Sequence, residues 1–202
     1  RMLFSVPFFV FSAWVYSSKE NNVRFTNREW MYVALIGLLG YYVSSLLDFL
    51  GLQFVTAGIE RLILFIYPTF VLLLSAVWFK QKIYPRQWLA VGITYIGLLI
   101  AFFSEAHIQG GPDFIKGSLL ILLCAFTYAS YIVGSGRLIP KVGAMKFNSY
   151  AMSFASAGVL VHFFLFSEVS LLGLPTMVYV YGLLMALLST VIPSYLVSVS
   201  IK

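Results

Sequence analysis

From Leu62 to Phe79 eighteen consecutive residues carry no charge. A helix needs about 20 predominantly apolar residues to cross the hydrocarbon core of a bilayer, and little else accommodates a run of this kind. Six further runs share its character, so seven candidate spans fall at roughly 2–18, 30–52, 57–79, 85–104, 115–136, 146–167 and 176–201. Composition agrees: 10% of the residues are charged, against about 25% in soluble domains. The fold class expected is all-α, a polytopic membrane helical bundle with seven spans in this chain.

The separating loops carry the charge. The net balance is +6, but the cations cluster between apolar runs instead of forming a surface patch, so nucleic acid is not an expected partner. Loop 19–28 holds Lys19, Arg24 and Arg28; loop 80–86 holds Lys80, Lys82 and Arg86; loop 137–146 holds Arg137, Lys141 and Lys146; Lys202 ends the last run. The opposite side has Arg1 and Lys116 against Glu105, Asp113 and Glu168. Lysine and arginine favour the cytoplasmic side, so the three basic loops are expected there, in a bacterial inner membrane. Trp14, Trp30, Trp78 and Trp88 flank them as interfacial anchors.

Arg1 precedes Met2, so the chain is expected to begin inside a longer protein. A signal peptide over Leu3–Tyr16 would need a charged leader and a small-residue cleavage pattern, which this stretch lacks. Pro85 opens a run in the first helical turn, where its missing N–H costs nothing. Gly110-Gly111-Pro112-Asp113 has turn chemistry, and Pro140 and Gly143 are expected to punctuate another loop.

An internal repeat is legible at an offset of about 148 residues, a spacing of the inverted-repeat kind. It sets the run from Arg1 through the Trp30 span against Ser149 onward and the Met177 span. The offset covers an odd number of spans, so the two copies would lie in opposite orientations, as in many secondary transporters. Completing the symmetry needs one helix before Arg1 and two after Lys202, ten in all.

Ionisable groups are expensive in a membrane and mark functional sites by default. Asp48 shares a helical face with Tyr41, Ser44 and Ser45, at spacings that place them together. Across the Gln53–Gly58 break lie Glu60 and Arg61; Arg61 is the expected partner of Asp48, and Glu60 is expected to be solvated or to cap the next helix. Tyr67, beside Pro68 and Thr69, is a candidate for lining a cavity, with Pro68 expected to kink its helix. Tyr128 and Tyr131 share a face with Thr127 and Ser135. Thr190, Ser194 and Ser198 form a row on the last span, loosened by Pro193. His162, alone on an apolar run, is expected to make a helix–helix hydrogen bond. The single cysteine, Cys124, excludes an internal disulfide and a cysteine-based metal site. Phosphate-cradling loops, His-Glu-x-x-His and Gly-x-Ser-x-Gly do not occur, so no enzyme, cofactor or metal is expected.

Asp48-Phe49-Leu50-Gly51-Leu52, Thr56-Ala57-Gly58-Ile59-Glu60-Arg61-Leu62-Ile63-Leu64-Phe65 and Tyr67-Pro68-Thr69 resemble the EamA-type transporters of the drug/metabolite transporter superfamily. The short basic loop that follows, the span with Gly92 and Gly97, and Ser189-Thr190-Val191-Ile192-Pro193 extend the resemblance across the chain, as about helices two to eight of ten. Arg1 resembles an arginine that members carry early in their second helix. The resemblance implies inverted five-helix repeats, the first over 1–104 lacking its first helix and the second over 115–202 lacking its last two. It also implies a secondary membrane transporter, an exporter of a small organic metabolite, amino acid or drug working by alternating access. Its partners would be that small-molecule substrate and the lipid bilayer, with a homodimer as one assembly. Substrate-binding or ion-coupling residues on this reading are Asp48, Tyr41, Ser44, Arg61, Tyr67, Tyr128, Tyr131 and Ser194. The alternative is a seven-helix membrane receptor or scaffold without transport activity.

Overall fold

The computed structural model describes residues 1–18, 23–105, 113–167 and 173–201. Lys19, Gly110-Gly111-Pro112, Glu168 and Lys202, which entered the charge and turn expectations, lie outside them. The described residues fold as helices: α1 (Met2–Ser17), α2 (Asn27–Gly51), α3 (Ala57–Phe79), α4 (Pro85–Glu105), α5 (Phe114–Val142), α6 (Ala144–Phe166) and α7 (Thr176–Ser200). The chain is an all-α membrane bundle. Five helices, α2, α3, α5, α6 and α7, are long and apolar enough to cross a bilayer, where seven were expected. Helix α1 has 16 residues. Helix α4 has 21 residues, and 87–104 carries no charge.

Local chemistry accounts for the helix ends. Thr26 and Glu29 form a reciprocal capping box that starts α2. Thr56 caps α3 by accepting from the Ile59 N–H at 3.5 Å. Inside α3 the helix breaks at Phe65–Ile66, just before Pro68, because proline cannot donate back to the preceding turn. The loop expected at 137–146 is instead helical. Helix α5 runs through Arg137 and Pro140 to Val142, and Gly143 alone, at φ +87°, separates it from α6. Pro140 lies within the last turn of α5, two residues before its end at Val142.

Two π-helical turns interrupt the spans, Leu38–Val43 in α2 and Leu187–Val191 in α7. The second ends two residues before Pro193, whose ring excludes the regular bond to the carbonyl four residues back.

The chain divides into two compact units, with boundaries inside α2 and α5. The first comprises residues 1–42 and 134–202. Its centre is α6, along which α1 runs antiparallel: Met2 reaches Ser156 at one end and Ser17 bonds Tyr150 at 2.6 Å at the other. Here α2 approaches α6 backbone to backbone, since a Cβ on Gly37 would lie 2.9 Å from the Ala151 Cα. The second unit, residues 43–133, is centred on Val55, Ile59 and Ile121, packed with Ile63, Leu64 and Phe114.

Candidate functional site

In the second unit a close glycine crossing sets the geometry. A Cβ on Gly51 would meet the Gly117 carbonyl oxygen at 3.1 Å, and one on Gly117 would meet the Phe54 Cβ at 2.7 Å. The end of α2 and the start of α5 therefore touch through their backbones, as small residues allow. Asp48 lies one turn before Gly51. The chain then reverses tightly, with Phe54 and Val55 both donating to the Gly51 carbonyl at 2.9 and 3.2 Å.

This reversal returns Glu60, not Arg61, to Asp48. The two carboxyl groups lie within hydrogen-bonding reach of each other, and Glu60 is 9% exposed. Arg61, one residue and about 100° further round the helix, is exposed. The expected Asp48–Arg61 contact is thus replaced by an acid–acid contact, and the expectation of a solvated Glu60 is corrected.

Helix α5 brings a polar face to the same region. The Cys124 thiol is within electrostatic reach of both Asp48 and Glu60, and Thr127 donates to the Cys124 carbonyl at 2.9 Å. One turn on, the Tyr128 ring meets Tyr67 edge-on at 5.5 Å and stacks with Tyr131 at 6.1 Å. Tyr131 is fully buried, and Ser44, one turn before Asp48, is 6% exposed. Behind Pro68, Tyr95 donates to the Thr69 hydroxyl at 3.0 Å.

Two sequence candidates fall in the first unit. Tyr41 is half-buried within the π-turn of α2. Ser194 is buried in α7, accepting from Asn148 Nδ2 at 3.0 Å and donating to the Val191 carbonyl at 2.9 Å. The structure therefore gathers Tyr67, Tyr128 and Tyr131, joins Asp48 to Glu60, and places Tyr41 and Ser194 in the other unit. Sequence reasoning passed over the hub beside Ser194, where the Ser149 hydroxyl meets Ser12 at 2.9 Å, Tyr195 at 2.8 Å and the Met145 carbonyl at 2.7 Å. The signal was there in Asn148-Ser149, adjacent polar residues within an apolar run.

Residues 1–103 match the EamA-like transporter family. The chain belongs to this family. Relatives extend the match to its whole length. An uncharacterized transporter of Bacillus subtilis (strain 168), YcbK, is 30% identical over 209 residues, covering 100% of this chain and 65% of the relative. A second from the same organism, YdfC, is 31% identical over 59% of this chain and 38% of its own length. An uncharacterized transporter of Archaeoglobus fulgidus is 23% identical over 76% of this chain and 51% of its own. The chain thus spans less than two thirds of each of these curated relatives. No solved structure matches it. For an EamA-family chain, the acid pair and tyrosine face of the second unit are the features that call for a functional reading.

Proposed function

We propose that this chain is the central part of an EamA-type secondary carrier that exports a small organic metabolite, amino acid or drug by alternating access. The carboxyl pair Asp48–Glu60 is its ion-coupling centre. The observation that carries this reading is the meeting of two acids on α2 and α3, in a chain of a transporter family. A carboxyl pair inside a bilayer is costly, and a site that binds and releases one proton gives a carrier its link to a proton gradient. Tyr67 and Tyr128 supply ring faces and hydroxyls for an organic substrate, with Tyr131 stacked on Tyr128; Ser44, Tyr41 and Ser194 are further candidate substrate contacts. Arg61, exposed at the end of the hairpin, screens the approach.

The repeat reading stands on its own support. Shifting the first π-turn, Leu38–Val43, by the 148-residue offset brings it onto the second, Leu187–Val191. We read 1–104 and 115–202 as inverted five-helix repeats, each incomplete in this chain, with the basic loops cytoplasmic in a bacterial inner membrane. The greater length of the relatives agrees with ten helices.

The test is a growth-resistance screen against a panel of toxic amino acids and drugs in cells expressing the full-length protein. Asp48→Asn and Glu60→Gln are expected to abolish any protection seen, with folded protein in the membrane unchanged. Protection retained with protein lost would make the pair structural.

A further inference from the structure

We propose that the seam between α6 and α7, in the first unit, holds one buried water molecule that bridges the Asn148 carboxamide and the Ser198 hydroxyl. The site is separate from the carboxyl pair, and its test does not depend on transport.

Polar groups buried between helices are paired as a rule. In this unit Tyr42 on α2 meets His162 Nδ1 on α6 at 2.9 Å, and Ser149 on α6 meets Tyr195 on α7 at 2.8 Å. Asn148 and Ser198 depart from the rule. Both are 0% exposed, yet Asn148 Oδ1 and Ser198 Oγ have no hydrogen-bond partner among the described residues. The other end of the Asn148 amide bonds the Ser194 hydroxyl at 3.0 Å. Turning the amide over would exchange which end is left and would still leave one. Ser149, Ser153 and Ser189 each donate to a carbonyl four residues earlier at 2.7 Å. Ser198 makes no such bond, so the usual partner of a helical serine does not satisfy it.

Position sets the two groups at the scale of one water. Ser194 and Ser198 are four residues apart on α7 and share a face, so Ser198 lies about 6 Å along the axis from the residue that Asn148 bonds. Two hydrogen bonds of about 2.8 Å laid end to end span a gap of that order. Left dry, each group would forfeit a hydrogen bond, and buried waters satisfy such groups, typically through about three bonds each. Charge decides against a cation. Glu29 is the one acid among the described residues of this unit, and it pairs with Lys141. Lys146, itself 6% exposed, stands two residues before Asn148. A cation buried here would have no counter-charge. The chemistry selects a neutral donor and acceptor, and the full burial of both partners favours the smallest one.

The test is a crystal structure of the full-length protein at a resolution that shows ordered water. One density peak is expected within hydrogen-bonding distance of both side chains, and the Ser198→Ala structure is expected to lack it. Melting temperatures give a second readout that needs no crystal. Ser198→Ala and Asn148→Leu are each expected to lower the melting temperature. The double variant is expected to lower it by clearly less than the two shifts added, because either change alone already removes a partner of the shared water. If Asn148→Leu does not fold, the Ser198→Ala structure carries the test alone. Two ordered side chains with no peak between them, a direct Asn148–Ser198 bond, a peak with a cation's coordination, or additive shifts would overturn the proposal.

Discussion

Lys146 shows how far a residue's role can lie from its sequence context. Read as one cation of a solvated loop, it is instead 6% exposed on α6. Its ammonium donates to the Val23 carbonyl at 2.6 Å and lies 4.6 Å from the centre of the Phe25 ring. Lysines are almost never buried without partners, and these contacts tie the segment before α2 to the start of α6. Lys146→Met is expected to cost about 1.5–3 kcal/mol, the scale of a hydrogen bond to a charged group, as a lower melting temperature of the purified protein, with Lys146→Arg losing less. At the carboxyl pair, Glu60→Leu strips Asp48 of its hydrogen-bonding neighbour and is expected to cost about 1–3 kcal/mol. Glu60→Gln keeps a donor there and is expected to be close to neutral in stability, measured by the same melting curves.

At the scale of the helix, the apolar runs located every element, because a stretch without charges has few alternatives in a membrane. Span 57–79 and α3 coincide. What eluded the sequence were features made by long-range contact or by small shifts in hydrogen bonding. The pairing of Asp48 with Glu60 instead of Arg61 turns on about 100° of helix rotation set by a five-residue reversal. The tyrosine face and the His162 helix–helix bond were legible because spacing alone places residues on a face. The π-turns were not, since one extra residue in a turn leaves no compositional trace where proline is absent, as in α2. The capping box at Thr26 and Glu29 was legible in principle, hidden by reading residues 19–28 wholly as loop. The glycine contacts offer a test at this scale. Gly37→Val drives a branched side chain into the Ala151 backbone, and overpacking of this kind costs about 1–3 kcal/mol. Gly92→Val, with open space around it, is the matched control; similar melting temperatures for the two variants would contradict the close α2–α6 contact.

For the whole molecule the testable quantity is orientation. The lone cysteine makes this accessible: Cys124→Ala gives a background without thiols, in which Lys82→Cys probes the segment between α3 and α4. An impermeant maleimide is expected to label it in inverted vesicles and to spare it in intact cells, as the positive-inside rule requires. Labelling in intact cells would reverse the topology assigned to every span.

Gly143 bears on what can be done to this molecule. A single left-handed residue joins a 29-residue helix to a 23-residue one, so there is no slack between them. The facing ends of the two helices are held together, and the angle between them can change only through the backbone torsions at Gly143. The same shortness makes this junction a poor place for an epitope tag or a fusion, even though it lies among basic residues that in sequence look like an ordinary loop.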